Sequence, residues 1–190
     1  MVFTATYHSP LGLVVIESDR EVLTGLRFAD EKAWAGKMEG RKAAAAIPVI
    51  ASTVRWLDDY FSGKRTENAT MGKQLENVTM GKQTENATMG VKADARIVVK
   101  PKGTMFQQRV WQALLTIPYG ETVSYGEIAR MVSCRSAQAV GQAVGANHIT
   151  LLIPCHRVIA ANGKIGGYAY GEERKKRLLA WEQQSKFKHQ

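Results

Sequence analysis

Residues 124–145 read SYGEIARMVSCRSAQAVGQAVG, and the caps and apolar positions within them decide what kind of fold surrounds them. Ser124 stands where a helix N-cap belongs, and Glu127 three residues on completes a capping box, which satisfies amides that a first helical turn leaves unpaired. Ile128, Ala129 and Val132 share one face of that helix. Ser133-Cys134-Arg135 interrupts the period, and Ser136 can cap a second helix over 137–145, rich in Ala and Gly. Two short helices across a tight turn read as a helix-turn-helix. An ordinary helical hairpin is the alternative, because the turn contains no Gly.

Upstream, Phe106, Val110, Trp111, Leu114 and Ile117 fall on one face of a helix that stops at Pro118-Tyr119-Gly120. Downstream, the apolar run 149–153 reads as a buried strand leading into Pro154-Cys155-His156-Arg157-Val158. Toward the N-terminus, runs at 2–7, 11–17 and 22–28 are separated by turn residues and read as a small antiparallel sheet. A helix follows over 48–61, with Val49, Ile50, Val54, Leu57 and Phe61 inward and Ser62-Gly63 as its stop. The expected fold class is α+β: an N-terminal α/β domain over 1–63, a final strand and linker over 91–100, and a helix-turn-helix domain over 101–190. Residues 64–90 hold three nine-residue copies, KRTENATMG, KQLENVTMG and KQTENATMG. Each offers too few apolar side chains to offset its ordering entropy, so a flexible insert is expected. The Asn-x-Thr patterns at Asn68, Asn77 and Asn86 would accept glycans only in a secreted chain.

Of the 190 residues 45% are apolar, enough for one sizeable domain or two small ones sharing an interface. The net charge of +9 is unevenly spread: residues 1–100 carry 14 Lys and Arg against 12 Asp and Glu, residues 101–190 carry 12 against 5. A basic excess concentrated in the helix-turn-helix half fits a phosphate-binding surface, although basic surfaces also serve solubility. No apolar run approaches the roughly 20 residues of a membrane span, and the start lacks the pattern of a signal peptide. An intracellular protein is expected, cytoplasmic in a prokaryote and nuclear in a eukaryote. Two cysteines, Cys134 and Cys155, read as free thiols. The four histidines are too scattered for a zinc site, so neither metal nor cofactor is expected.

An isolated buried Cys is usually an inert core filler. Cys155 is not isolated: His156 and Arg157 offer a base and a positive charge, either of which favours the nucleophilic thiolate. Neighbours along an extended chain point to opposite faces, which makes a bridging water more plausible than direct contact between Cys155 and His156. A carboxylate elsewhere would have to hold the imidazole tautomer.

The run Pro154-Cys155-His156-Arg157-Val158, the helix-turn-helix before it and Gly166-Gly167-Tyr168 after it resemble the O6-alkylguanine-DNA alkyltransferase family over about residues 101–184. The resemblance implies a ribonuclease H-like N-terminal domain and a winged helix-turn-helix domain carrying the acceptor cysteine. It implies DNA repair by irreversible, single-turnover transfer of the alkyl group of O6-methylguanine, with O4-methylthymine a further substrate, to Cys155. His156 would be the base acting through water, and Glu182, 27 residues after Cys155 in a helix over 178–184, its orienting carboxylate. Asn147 would tie the recognition helix to the active-site segment, Tyr125 rotate the damaged nucleotide out of the stack, and Lys175 lie near the departing guanine. Tyr168, Ala169, Tyr170 and Val158 would surround the base. A monomer on double-stranded DNA is implied, docked through the minor groove by Arg135, Ser136, Ala137, Gln138, Ala139 and Gly141, with Ala143 also allowing close approach.

Two positions depart from the family pattern. Gln138 stands where an arginine usually replaces the flipped nucleotide, so flipping should be weaker or slower. Tyr170 stands where small residues are common, which should narrow the pocket and favour methyl over benzyl groups. The rival readings are a non-enzymatic lesion sensor or helix-turn-helix regulator, and a cysteine hydrolase. The first would lack the acceptor thiol, and the second needs thiol and imidazole in direct contact.

Overall fold

The structure, a computed structural model, describes residues 2–35, 47–63, 91–92 and 97–187. The nine-residue repeats and their three Asn-x-Thr sites lie outside the described residues.

Three strands open the chain: β1 (Phe3–Ser9), β2 (Gly12–Ser18) and β3 (Leu23–Phe28). Ser9 closes the first hairpin, its hydroxyl accepting from Leu11 N and donating to Gly12 O. These three strands pair antiparallel as expected, within two residues of the expected bounds, and two further short strands make the full sheet mixed. β5 (Val98–Val99) pairs parallel with β3, and β4 (Val91–Lys92) antiparallel with β5, giving the order β1-β2-β3-β5-β4. β2 is buried on both faces, since Val14 and Ile16 join the main core while Leu13 and Val15 pack with Trp34, whose short helix α1 spans Glu31–Ala35. α2 (Pro48–Phe61) covers the other face with Trp56, Leu57, Tyr60 and Phe61. The proline at its first turn removes a donor that would have had no partner there.

The C-terminal half comprises α3 (Met105–Leu114), β6 (Val123–Ser124), α4 (Tyr125–Met131), α5 (Ala137–Gly145), β7 (Val158–Ile159) and α6 (Glu172–Phe187). The Ser124–Glu127 capping box forms as read, and Ser136 Oγ accepts from Ala139 N to start α5. The turn between α4 and α5 manages without glycine by placing Ser133 at φ 54°. β6 and β7 pair in parallel as the wing. One apolar cluster runs from the sheet through α3, α4 and α5. Leu26 N donates to His148 O and Thr150 N to Leu26 O, so the segment before Cys155 docks on β3.

That segment is not the extended strand expected from its apolar run. Only Ile149 makes a ladder contact; the chain then turns, with Leu151 at φ 68°, and Cys155–Arg157 forms a single 3-10 turn. A short apolar run reports burial but not backbone conformation. Here the backbone groups find partners locally: Leu152 N bonds Thr150 O, Ile153 N bonds Ile149 O, and Cys155 N bonds Ile153 O. Among the described residues, no helix is long and apolar enough to cross a membrane.

Candidate active site

Asn147, directly after α5, fixes the loop that carries the thiol. Its amide oxygen accepts from Ile149 N at 3.0 Å and its amide nitrogen donates to Ile153 O at 2.8 Å. Both bonds are buried, so the end of the second helix and the approach to Cys155 move as one piece. Cys155 is 4% exposed. Its sulfur lies 3.9 Å from the Thr150 hydroxyl, which shares a 2.7 Å hydrogen bond with the Tyr168 hydroxyl. Burial pushes the thiol up from its ordinary pKa, opposed by the Asn147 amide, the Thr150 hydroxyl and the Lys175 charge. At neutral pH the resting group is therefore the protonated thiol, which needs a base before it can attack.

His156 is fully buried, with Nε2 2.8 Å from Glu182 Oε1. Because Nε2 faces a carboxylate, the hydrogen sits there and Nδ1 carries the lone pair. Nδ1 has no hydrogen-bond partner among the described residues. Burial pushes the imidazole below its ordinary pKa against the attraction of Glu182, so it rests neutral, ready to accept a proton. No hydrogen bond joins Cys155 and His156. The expectation of opposite faces along an extended strand fails, since both sit in one 3-10 turn, but the absence of a direct bond stands.

Glu182 collects more than the imidazole. It accepts from Arg157 Nε (2.7 Å) and Nη2 (2.8 Å), Tyr60 Oη (2.7 Å) and Gly120 N (3.0 Å). Burial would raise its pKa, but the Arg157 guanidinium, His156 and these hydrogen bonds outweigh it and hold the carboxyl well below the usual range. Arg157 also donates to Ile117 O, tying the segment after α3 to the site. α6 extends well beyond the expected 178–184, which lets one helix carry Glu182, Lys175 and Arg174.

A cavity of about 210 Å³ opens above the sulfur, lined by Tyr125, Gly141, Val144, Gly145, Asn147, Cys155, Gly167, Tyr168 and Ala169. Of the expected pocket residues, Tyr168 and Ala169 line it, while Val158 and Tyr170 do not. Val158 is buried in the core at the start of β7. Tyr170 turns away, its ring 5.7 Å from that of Phe28 and 5.4 Å from that of Tyr168. Direct narrowing by Tyr170 is thus corrected: an apolar neighbour on the sheet claims its ring. Lys175 does not reach the cavity either. It is buried behind the wall, its ammonium donating to Val158 O at 2.6 Å and Gly167 O at 3.3 Å, and burial pulls its pKa down to about 8.

On α5, Ala137 and Gln138 are exposed, as are Arg135 and Ser136 just before it; Ala139 and Gly141 are half-buried. Ser136 is committed to capping. Ala143 cannot approach a ligand: it is buried, and its carbonyl accepts from Trp111 Nε1. Among the described residues no group of three or more His, Cys, Asp or Glu could hold a metal. Sequence reasoning missed Thr150, Tyr60 and Arg174; their partners are 5 to 163 residues away, a relation no spacing reveals.

The chain matches two family models, the 6-O-methylguanine DNA methyltransferase ribonuclease-like domain over residues 2–70 and the DNA binding domain of the same family over 105–184. It is 39% identical to the methylated-DNA–protein-cysteine methyltransferase of Mycolicibacterium paratuberculosis, over 96% of this chain and 93% of that one. It is 34% identical to that of Haemophilus influenzae, over 93% and 83%. The solved O6-methylguanine methyltransferase of Mycobacterium tuberculosis superposes with a TM-score of 0.72 at 37% identity, over 97% of this chain and 94% of that one. A structure of the Mycobacterium tuberculosis protein in complex with DNA gives 0.68 at 35% identity, over 96% and 94%. Both halves of the chain, and the thiol, imidazole and carboxylate that its C-terminal half assembles, thus fall within one alignment: this protein belongs to the methylated-DNA–protein-cysteine methyltransferase family.

Proposed function

We propose that this protein repairs alkylated DNA by moving the alkyl group of O6-methylguanine irreversibly onto Cys155. The observation that carries the reading is the buried relay from Glu182 through His156 toward Cys155, set under a cavity beside the helix-turn-helix. A base inside a duplex is out of reach, so the nucleotide must leave the stack. The exposed start of α5, with Arg135 and Gln138, docks in the minor groove, and Tyr125 at the cavity turns the nucleotide inward. Tyr168 and Ala169 then wall the base.

The thiol proton passes through a water to His156 Nδ1, while Glu182 holds the opposite nitrogen and stabilises the imidazolium. The sulfur attacks the methyl carbon, a C–S bond forms as the C–O6 bond breaks, and guanine departs. The proton lost by the thiol ends on guanine, so the reaction balances without a cofactor. The thioether on Cys155 has no route to cleavage, and each molecule acts once. Lys175 braces the pocket wall through the Val158 and Gly167 carbonyls, and its charge favours the thiolate. We place the protein on double-stranded DNA as a monomer, in the cytoplasm of a prokaryote or the nucleus of a eukaryote. Its parts are an N-terminal domain over 1–63, the repeat insert over 64–90, a strand-bearing linker over 91–100 and the alkyltransferase domain over 101–190.

The test is the peptide mass after incubation with duplex DNA bearing one O6-methylguanine. One added methyl on the Cys155 peptide, absent from Cys155→Ala, is expected. Tight binding to the lesion with no added mass would make the protein a lesion sensor instead.

A further inference from the structure

One side of the Cys155 cavity is lined by a single loop. Gly167, Tyr168 and Ala169 face the cavity, whereas Tyr170 faces the N-terminal sheet through Phe28. Gly166 (φ 70°) and Gly171 (φ 92°) bracket the loop, so its ends adopt backbone conformations that make natural pivots. Within the loop Gly171 N bonds Tyr168 O; from outside, Thr150 shares a 2.7 Å hydrogen bond with the Tyr168 hydroxyl and Lys175 reaches Gly167 O at 3.3 Å.

Besides the Thr150–Tyr168 hydrogen bond, the wall is held from outside by Arg174, in the first turns of α6. Its Nη1 donates to Tyr170 O at 2.7 Å and its Nε to Leu11 O at 2.9 Å, while the guanidinium lies 4.7 Å above the Phe28 ring. These contacts join α6, the pocket loop, the β1–β2 turn and β3. The turn makes room for it: a Cβ on Gly12, at φ 113°, would stand 3.2 Å from Arg174 Nη2. A planar guanidinium can stack and donate in two directions at once, which an ammonium cannot.

We infer that Arg174 is a specificity-determining positioning residue: it clasps the pocket loop to the N-terminal sheet and thereby sets the largest alkyl group that Cys155 accepts. The inference rests on the reading of Cys155 as an alkyl acceptor. A methyl group is accepted with the wall in place, whereas a benzyl group requires the wall to retreat, and retreat breaks the clasp. The N-terminal domain, none of whose described residues lines the cavity, thus acts on substrate choice through Leu11 and Phe28.

The experiment compares single-turnover rates on O6-methylguanine and O6-benzylguanine in the same duplex for the full chain, Arg174→Ala and Phe28→Leu, with thermal unfolding to confirm folding. Arg174→Ala should raise the benzyl-to-methyl ratio about tenfold, equivalent to about 1.4 kcal/mol. Phe28→Leu, which releases the clasp from the sheet side, should move the ratio the same way by a smaller factor. A ratio unchanged in both folded variants, or methyl and benzyl rates falling in parallel, would overturn the clasp and leave methyl transfer to Cys155 standing. Absence of transfer from either substrate by the unsubstituted protein would overturn both readings together.

Discussion

Replacing Glu182 by Gln tests the buried centre of the site with little change of shape. The carboxylate is fully buried and accepts five hydrogen bonds, from His156, twice from Arg157, and from Tyr60 and Gly120. An amide in its place carries no charge, and its NH2 turns donors toward groups that are themselves donors. The Arg157 guanidinium, buried and bound otherwise only to Ile117 O among the described hydrogen bonds, is left without a counter-charge. Removing one partner of a buried ion pair costs about 3–5 kcal/mol, a large part of the roughly 5–15 kcal/mol by which domains are stable. The imidazole also loses the acceptor that keeps its hydrogen on Nε2, so alkyl transfer should slow by at least about 10²-fold, the lower range of general acid–base contributions. Urea denaturation at constant m-value reads the first effect, and single-turnover methyl incorporation into Cys155 the second. A stability loss under about 1 kcal/mol combined with transfer at the unsubstituted rate would refute the claim that Glu182 both anchors Arg157 and orients His156.

Stability should fall in two stages on acidification. His156 is held neutral below its ordinary pKa of 6.5, so the unfolded chain takes up its proton first and stability declines from about pH 6.5 downward. Glu182 is held ionised below its ordinary 4.5, so a second decline begins there; denaturant midpoints across pH 3–8 should lose that second stage in Glu182→Gln, and a retained stage would point to other carboxylates. Gln138→Arg should speed repair of duplex DNA while leaving the rate on free O6-methylguanine base unchanged, because exposed residue 138 acts on flipping alone; an unchanged or slower duplex reaction would sink that account. Thr150→Val removes the hydroxyl between Cys155 and Tyr168, so the pH profile of Cys155 alkylation by iodoacetamide should shift upward and Thr150→Ser should restore it. An unchanged profile would limit Thr150 to packing.

Local signals carried much of the fold. The helix Pro48–Phe61, the Ser124 capping box, the Ser136 cap and the helix over Ala137–Gly145 form where the sequence predicts them. Each depends on groups within four residues of one another, so a single chain segment contains the whole cause. The candidate thiol and its neighbouring imidazole were equally legible, because Cys155, His156 and Arg157 are consecutive.

The errors share one cause. The run 149–153 showed that it is buried but not that it turns, since its backbone is satisfied by the Asn147 side chain and by bonds among neighbours. The resemblance puts Tyr170 and Val158 around the base and Lys175 near the departing guanine, whereas their surroundings come from Phe28, the core and two carbonyls brought together by folding. The parallel pairing of β3 with β5 was likewise invisible, because strand runs state faces and not partners.

The helix-turn-helix, the thiol and the family can be read from the linear chain, because caps, periodicity and consecutive chemistry are short-range properties. Folding alone makes His156, Arg157 and Tyr60 share Glu182, and brings Arg174 of α6 against both the pocket loop and the first hairpin. Those arrangements join residues up to 163 positions apart. What stabilises them is burial that forces each polar group to find a partner, a constraint that exists only once the chain has folded.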